Sequence, residues 1–346
     1  MKIKRFLLVL FVTMLSFSSL LLYSCDGLSA ALYDLSDIFG IESDEDDSDT
    51  DISSPDQTTN TKPSVPVSSL DAEKIGFEIH FINVGQGDAI VIRLLRENIN
   101  IIVDAGSGTG SGNATIAASL VDYISALGIT TFQYAFATHV DSDHINFFDD
   151  IYKNFTIGQI FLNDIPDTHK SNTATVETLR QSAVDGGSII TDLEANKDFA
   201  YDLSSDDGTY TFEFFAPGYN MGTDDNDMSP MILFGYAGRR VLLTGDATIK
   251  TEKWFLRFFG EEDFDVDVLK VGHHGSNTST SQEFLDVVRP EYGIISVKEG
   301  TYNNLPSWQV LERLESNNVT VYRTDLSGTI VLYVTSDGDM AFATEK

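Results

Sequence analysis

The chain of 346 residues contains a single cysteine, Cys25. One thiol cannot form a disulfide within the chain, so the fold must be stabilised by packing and by any metal that it binds. Basic residues are also scarce, since 22 Lys and Arg stand against 53 Asp and Glu and give a formal net charge of −31. Hydrophobic residues still make up 42% of the chain, which is enough for a substantial core.

The shortage of positive charge extends beyond the N-terminal part of the chain. Residues 75–346 contain 40 Asp and Glu against 17 Lys and Arg, a net charge of −23. Nucleic-acid binding normally depends on Lys and Arg that neutralise phosphates. The charge therefore disfavours nucleic acid as a partner and leaves it open only through a local basic groove or bound divalent cations.

Residues 1–24 have the arrangement of a secretory signal. Three basic residues among the first five precede an apolar run over residues 6–22, and Ser24 stands before Cys25. This ending resembles the lipobox of bacterial lipoproteins, in which the cysteine becomes the lipidated first residue. We therefore expect export and a lipid anchor at Cys25 on the outer face of the bacterial cell membrane. An uncleaved membrane helix and an ordinary signal peptide are the alternatives.

Residues 25–74 are predicted to form a disordered, acidic tether. Ten Asp and Glu lie between Asp34 and Asp56 with no Lys or Arg among them, and Ser, Thr and Pro follow as far as Ser69. A segment so charged and so poor in apolar side chains cannot bury enough surface to offset its ordering entropy. It would act as a spacer between the membrane and a folded domain over residues 75–346.

Hydrophobic periodicity in residues 75–346 predicts an α/β fold. Strand, helix and polar loop occur twice in this order, which fits two halves packed sheet to sheet with helices outside, an αββα sandwich. The predicted strands are 77–84, 89–95, 98–104, 132–137, 157–163, 209–216, 229–236, 239–244, 265–271, 292–297, 320–322 and 329–334. The predicted helices are 113–127, 173–184, 248–259, 281–288 and 307–314, and another begins after His144.

Potential metal ligands follow three of these strands. Four of them lie within six residues after the strand at 132–137, one follows Leu243 in a Gly-Asp pair, and two follow Val271 in Gly-His-His-Gly. Imidazole and carboxylate are the side chains that bind Zn²⁺ and similar ions. We expect these ligands to meet at one site: His139, Asp141, Asp143, His144, Asp246, His273 and His274.

The ordered set of motifs resembles the metallo-β-lactamase superfamily, and within it the hydrolase domain of the ComEC competence proteins. The resemblance includes His-x-Asp-x-Asp-His at 139–144, Gly-Asp at 245–246 and His-His-Gly-Ser at 273–276. It also includes the segments 83–89, 102–106 and 322–330, so it spans roughly residues 77–334 in consistent order. It implies the αββα fold and a hydrolytic activity.

The resemblance also implies a dinuclear metal site. His139 and Asp141 would hold the first ion, Asp143 and His144 the second, with Asp246 bridging both and either His273 or His274 completing the second. Asp88 and Asp104 would orient these ligands. The oxygen-rich set suits two divalent ions, Zn²⁺ or Mn²⁺. Such ions, roughly 3.5 to 4 Å apart, activate a shared water for hydrolysis.

The third ligand of the first ion has no clear candidate. His169, the sole histidine between the turn motif and Gly-Asp, lies in a polar loop and is expected to be exposed. ComEC relatives show Asn-Asn-x-Ser before Gly-Asp, matched here by residues 225–229, so Asn226 and Ser229 are predicted to contact substrate or metal-bound water. Ser276 is predicted to offer a further substrate-binding hydroxyl. Asn146 and Phe147 replace the Gly-Gly of relatives and are expected to narrow the mouth of the site or alter the approach of the next helix.

These expectations define an exported, membrane-anchored, metal-dependent hydrolase, most simply a phosphodiesterase or nuclease-like enzyme. Asp143 would orient the attacking hydroxide, and the histidine of 273 and 274 that is not a ligand would donate a proton. One alternative is a hydrolase of a cell-envelope phosphoester, such as a phosphorylcholine-decorated polymer. The other is a non-catalytic surface binding protein with a structural metal site. The sequence indicates no protein partner.

Overall fold

The structure is a computed structural model, and it describes residues 66–110, 112–163, 173–193, 199–217, 224–257, 264–298, 300 and 304–346. The predicted signal peptide, Cys25, most of the acidic tether and His169 lie outside the described residues. Two short 3-10 turns, Val67–Ser69 and Ala72–Lys74, precede the first strand.

The first sheet has eight strands in the described residues. They are β1 (Ile75–Phe81), β2 (Ala89–Leu94), β3 (Ile99–Ala105), β4 (Thr131–Ala137), β5 (Thr156–Asn163), β6 (Ile189–Leu193), β14 (Ile330–Thr335) and β15 (Met340–Thr344). Their order across the sheet is β15-β14-β1-β2-β3-β4-β5-β6. β1, β2 and β3 are antiparallel, as their tight turns predict, whereas β3 to β6 are parallel.

The second sheet has seven strands in the part of the chain that the structure describes. They are β7 (Phe199–Asp202), β8 (Tyr210–Ala216), β9 (Met231–Tyr236), β10 (Arg239–Leu243), β11 (Val268–Lys270), β12 (Tyr292–Ile295) and β13 (Thr320–Arg323). Their order is β13-β12-β11-β10-β9-β8-β7. β10 to β13 are parallel, so the ends of β10 and β11 that carry the predicted ligands lie on one edge.

Helices cover the outer face of each sheet. Against the first sheet lie α1 (Asn113–Ala126), α2 (Ser142–Ile145), α3 (Phe148–Asn154) and α4 (Thr173–Asp185). Against the second lie α5 (Ile249–Leu256), α6 (Gln282–Val288) and α7 (Trp308–Ser316), while α8 (Thr324–Ser327) follows β13. Across the described residues, none of the helices has both the length and the apolar character needed to cross a bilayer.

Three apolar cores lie between these layers. The central core lies between the sheets and is rich in aromatic rings, with Phe136 and Phe161 stacked at 4.7 Å and Phe212 and Phe234 at 4.2 Å. The other two lie between each sheet and its helices. Because most strands are buried on both faces, their sequences are nearly continuous apolar runs. The layers confirm the predicted αββα sandwich.

Three strands are not predicted by the sequence patterns. β6 and β15 form the two edges of the first sheet, and β7 forms one edge of the second. These edge strands are only four or five residues long, and two of them expose apolar side chains, Ile189 and Tyr201, so they lack the long buried apolar runs of central strands. The apolar pattern therefore identifies the interior of each sheet better than its borders.

Candidate metal centre

The turn after β4 is held against two glycine-containing loops of the first sheet. A Cβ atom at either Gly87 or Gly106 would lie 2.5 Å from the carbonyl oxygen of Asp143, far inside contact distance. The backbone N–H of Asp88 donates to the same oxygen at 3.1 Å. Glycine at both positions is therefore required for the close approach that fixes residues 139–144.

Asp104 fixes the orientation of His144. Its Oδ1 accepts from the backbone N–H of Thr138 at 2.8 Å, and its Oδ2 accepts from the Thr138 hydroxyl at 2.7 Å. Oδ2 also lies 2.8 Å from Nδ1 of His144. An ionised carboxylate only accepts hydrogen bonds, so His144 Nδ1 carries the proton and its Nε2 lone pair faces the site. The predicted orienting role of Asp104 has this geometric basis.

His139 is oriented in a similar way. The Thr138 hydroxyl hydrogen is used by Asp104, so Thr138 Oγ1 accepts from Nδ1 of His139 at 3.1 Å. The opposite nitrogen, Nε2, is buried without a hydrogen-bond partner and lies 3.6 Å from Oδ2 of Asp141. His139 therefore presents a lone pair to the site.

The second sheet delivers Asp246 at the end of β10. Gly245 precedes it with a φ of 51°, and the backbone N–H of Asp246 donates to Oγ of Ser229 at 3.3 Å. Oδ1 of Asp246 lies 3.3 Å from Nε2 of His144 and is buried without a hydrogen-bond partner. Oδ2 lies 3.4 Å from Nε2 of His274. Asp246 thus lies between ligands from both sheets.

His273 and His274 occupy the 3-10 turn Gly272–Gly275 after β11, with left-handed φ values of 49° and 52°. His274 is buried, its Nδ1 donates to the carbonyl of Ser296 at 2.9 Å, and its Nε2 lies 3.4 Å from Oδ2 of Asp143. The His273 side chain is 27% exposed, and its Nε2 lies 3.7 Å from Oδ2 of Asp246. Left-handed backbone at non-glycine residues costs about 1 to 3 kcal/mol each and is concentrated at functional sites.

These contacts test whether the residues fit a metal. Nε2 of His144 and Nε2 of His274 both present lone pairs and lie only 3.3 Å apart. Two such lone pairs repel unless a proton or a cation lies between them. The unpartnered atoms of His139 and Asp246 would each cost about 1 to 3 kcal/mol if nothing bound them. A divalent cation satisfies all four groups, so the donor set fits Zn²⁺ or Mn²⁺.

Most of the predicted ligands belong to two groups, and within each group the ligand atoms lie within 4.8 Å of one another. One contains His139, His144 and Asp246, and the other contains Asp143, His144 and His274. Asp141 joins neither group but lies next to His139 at the partly exposed edge. The structure therefore brings together the predicted ligands of all three strand ends.

The pKa values of His144 and His274 reflect the excess of carboxylates around them. Burial alone would lower the pKa of His144 and of His274, but nearby carboxylates together outweigh it and raise both pKa values. These are Asp246 and Asp104 for His144, and Asp246, Asp143 and Asp88 for His274. Burial alone would raise the pKa of Asp143, yet the hydrogen bond from His274 and the charge of His144 lower it. Asp246 behaves likewise, with its pKa held low against burial by His274 and His144. A bound divalent cation would replace the protons that otherwise balance these carboxylates.

Lys270 is a residue that the sequence analysis does not assign to the site. It is fully buried on β11, and its Nζ lies 2.9 Å from Oδ2 of Asp88, in the turn between β1 and β2. Burial would raise the pKa of Asp88, but Lys270, His274 and His144 together outweigh it and the pKa is lowered. The pair joins the two sheets behind His144. The sequence feature that could have predicted this ion pair is a lysine inside the apolar run Val268–Val271, because a buried charge needs a partner.

The predicted substrate-binding residues lie at different distances from this cluster. Ser229 is in it, with Oγ 3.5 Å from Nδ1 of His139. Asn226 lies in the 3-10 turn Asp225–Met228, and its Oδ1 is buried without a hydrogen-bond partner. Ser276 is further out, because its hydroxyl contacts Thr278 Oγ1 at 2.9 Å on the side of His273.

Asn146 anchors the turn through two hydrogen bonds. Its Oδ1 accepts from the backbone N–H of Ser107 at 3.0 Å, and its Nδ2 donates to the Ser107 carbonyl at 2.8 Å. Phe147 is buried in the core beneath the helices of the first sheet. The departure from Gly-Gly therefore ties the end of α2 to the loop after β3.

Comparison with known proteins identifies the family. The sequence profile of the metallo-beta-lactamase superfamily matches residues 82–297. The chain is 26% identical over 270 residues to ComE operon protein 3 of Bacillus subtilis, covering 73% of this chain and 32% of that protein. It is 30% identical over 256 residues to Recombination protein 2 of Haemophilus influenzae, covering 73% of this chain and 28% of that protein. The chain thus spans about a third of the length of these relatives.

Among solved structures, CmlA, a diiron β-hydroxylase from Streptomyces venezuelae, matches 75% of this chain and 54% of its own, with a TM-score of 0.47 and 14% identity. A diphosphatase from the PhnP family matches 77% of this chain and 98% of its own, with a TM-score of 0.41 and 9% identity. The assignment rests on the sequence matches, which agree with the fold and with the donor set of the cluster. The chain belongs to the metallo-beta-lactamase superfamily and is a relative of the competence proteins of the ComEC type.

Proposed function

We propose that this chain is an exported, lipid-anchored hydrolase that cleaves phosphodiesters with two divalent ions, Zn²⁺ or Mn²⁺. The observation that carries the proposal is the set of buried lone pairs without partners at the centre of the cluster. Nε2 of His139 and Oδ1 of Asp246 have no hydrogen-bond partner, and they adjoin the facing nitrogens of His144 and His274. A fold that binds no metal would not leave so many donor atoms unsatisfied at one point.

The ligands divide between two ions. His139 and Asp141 would hold the first ion, Asp143, His144 and His274 would hold the second, and Asp246 would contribute to both. His274 is preferred to His273 as the ligand because it is buried and its ligand atom groups with those of Asp143 and His144, whereas His273 is partly exposed. When bound, the two ions would activate a water and polarise the scissile phosphoryl group.

Asp143, in addition to its role as a ligand, and three further side chains act on the reactants directly. Asp143 is 23% exposed, so a carboxylate oxygen can accept a hydrogen bond from the attacking water and orient it. His273 lies at the exposed edge beside Asp246 and donates a hydrogen bond to the leaving oxygen. Ser229, beside His139, and Asn226 are the remaining candidates for contacts to the substrate or the water.

Two classes of phosphodiester are candidates. The name of one relative, Recombination protein 2, favours nucleic acid. The net charge of −23 over residues 75–346 favours a cell-envelope substrate with fewer negative charges, such as one that carries phosphorylcholine.

The test is hydrolysis of bis(p-nitrophenyl) phosphate by the full-length protein, with metal analysis. We expect two ions per chain and turnover that chelation abolishes. The double variant Asp143→Ala/His144→Ala should lose bound metal and turnover. The variant Asp149→Ala removes a carboxylate on α3 that is paired with Lys153, and it should keep bound metal and turnover. Absence of metal and turnover in the wild type would overturn the proposal. Bound metal without turnover would support a surface binding protein with a structural metal site.

The anchor is tested separately. Cells grown with labelled palmitate should yield a labelled chain in the membrane fraction, and Cys25→Ala should abolish the label and release the protein. A label that persists in the variant would contradict anchoring at Cys25.

A further inference from the structure

Most basic side chains in the described residues form ion pairs with carboxylates, as expected in so acidic a chain. The pairs are Lys74 with Asp337, Arg93 with Glu78, Lys153 with Asp149, Arg180 with Asp192, Arg239 with Asp267, Lys250 with Asp227, Lys270 with Asp88, Arg289 with Asp265 and Arg323 with Asp325. Lys298 is exposed and has no carboxylate partner within the described part of the chain. Its ammonium is therefore available to an anion from outside.

Lys298 lies two residues beyond the carbonyl that orients His274. Ser296 accepts from Nδ1 of His274, and the chain continues from it directly to Lys298. The backbone N–H of Lys298 reaches Oε1 of Gln86 at 3.5 Å. Its side-chain stem passes Gly85, where a Cβ atom would lie 3.8 Å from Cδ of Lys298. The lysine is thus held beside the turn between β1 and β2.

Gln86 connects this lysine to Asp143. Gly108 lies between Gln86 and Asp143, since a Cβ atom on it would be 3.4 Å from Cβ of Asp143 and 3.7 Å from Cγ of Gln86. The backbone N–H of Gly108 donates to the carbonyl of Gln86 at 2.6 Å. Gly108 is exposed and Asp143 is partly exposed, so the surface formed by Gln86, Gly108 and Asp143 faces solvent at the mouth of the metal centre.

We propose that Lys298 and Gln86 form an anion-binding subsite beside Asp143 that holds a phosphate of the substrate other than the one that is cleaved. The inference rests on the proposed phosphodiesterase function and specifies its substrate as a molecule with neighbouring phosphates. An ammonium without a partner attracts such a group, and the Gln86 amide donates to its oxygens. Nucleic acids and polyol-phosphate polymers of the envelope share this chemistry.

Two chromogenic substrates that differ by one phosphate test the subsite. Thymidine 5′-(p-nitrophenyl phosphate) and its 3′-phosphorylated form have the same leaving group and the same nucleoside. We expect KM for the 3′-phosphorylated form to be lower by about 5-fold at low salt, and the difference to shrink as salt screens the contact. Lys298→Ala should remove the preference and Lys298→Arg should keep it.

Lys253→Ala is the matched control. Lys253 is exposed on α5 and, in the described residues, also has no carboxylate partner. The variant removes the same charge from the chain, so it should keep the preference if Lys298 acts by its position. Equal KM values for the two substrates in the wild type, or a preference that survives Lys298→Ala, would overturn the inference.

Binding without turnover separates this inference from the proposed function. Calorimetry should find that thymidine 3′,5′-bisphosphate binds the wild type more tightly than thymidine 5′-phosphate does, and that Lys298→Ala removes the difference. This result can hold even if bis(p-nitrophenyl) phosphate is not cleaved, in which case the hydrolase proposal alone fails. Oligothymidylate and oligo(glycerol phosphate) are then compared as competitors of thymidine 3′,5′-bisphosphate binding, and the stronger competitor identifies the source of the phosphates. If each oligomer competes equally well in the wild type and in Lys298→Ala, the subsite is contradicted.

Discussion

The turn after β4 and the turn after β11 both deliver ligands to the metal centre, but different contacts hold them. The first turn is fixed by its backbone, because Gly87 and Gly106 allow other loops to touch the carbonyl of Asp143. The second turn has left-handed backbone at both histidines and is fixed by the hydrogen bond from His274 to Ser296. Asp88 and Lys270 join the two halves through a buried ion pair. The first half thus depends on close backbone packing and on the hydrogen bonds of Asp104, and the second on its left-handed turn and the hydrogen bond from His274. One charge pair joins the two.

Breaking the link between the halves should have the largest effect. Asp88→Asn leaves the Lys270 ammonium buried without a countercharge, which we expect to lower the free energy of unfolding by about 3 to 5 kcal/mol. The double variant Asp88→Asn/Lys270→Met removes the uncompensated charge and should recover most of this loss. Urea unfolding of the three proteins measures the difference. If the double variant is as unstable as Asp88→Asn, the pair does not act through its charge.

Gly106→Ala should disrupt the first half alone. The new Cβ would lie 2.5 Å from the Asp143 carbonyl oxygen, and since both atoms belong to backbone segments neither can move cheaply. We expect a loss of about 1 to 3 kcal/mol in unfolding free energy and a fall in metal content. Gly112→Ala is the control, because its Cβ would meet its nearest neighbour, Thr109 Cγ2, at an ordinary 3.5 Å. Similar losses in both variants would refute the role of the close approach.

Asp104→Asn should weaken metal binding with little effect on packing. The carboxylate accepts three hydrogen bonds from Thr138 and His144, and an amide of the same shape loses part of that capacity and no longer fixes the His144 tautomer. Loss of such an orienting group typically lowers metal affinity by about 10- to 100-fold. Competition with a chelator of known affinity measures the change. An unchanged affinity would mean that His144 keeps its orientation without Asp104.

The contrast between the halves also explains which parts of the site the sequence predicts. The first turn is visible because four ligands occur within six residues after an apolar strand, and Asp246 follows another such strand. Lys270 is not assigned to the site because its partner, Asp88, is distant in the chain and only the folded sheets bring them together. The choice between His273 and His274 depends on the backbone of the turn, which the residue types do not determine. Local patterns therefore predict the ligands, whereas the contacts that orient them are non-local.

Two glutamates, the partly buried Glu78 in one half and the buried Glu252 in the other, have pKa values shifted in opposite directions. Burial raises the pKa of Glu78 on β1, but the hydrogen bond with His80 and the Arg93 guanidinium outweigh it, so the pKa lies below its ordinary value of 4.5. The pKa of Glu252 on α5 is raised by burial despite hydrogen bonds from residues 280 and 281. The ionised form of Glu78 therefore stabilises the fold, whereas the ionised form of Glu252 costs stability.

The smallest expected effect concerns how the free energy of unfolding depends on pH. The contributions of Glu78 and Glu252 should change with pH in opposite directions. The contribution of Glu78 is present above its ordinary pKa and is lost as the pH falls, so the stability advantage of wild type over Glu78→Gln should grow with rising pH. The cost of ionised Glu252 appears as the pH rises through its raised pKa, so the corresponding advantage over Glu252→Gln should shrink. Each change should stay below about 1 kcal/mol because both groups are partly compensated. Urea unfolding measures both effects, for Glu78 at acid pH around and below its ordinary pKa of 4.5 and for Glu252 from that pH towards neutral. Slopes of the same sign would contradict the opposite environments of the two carboxylates.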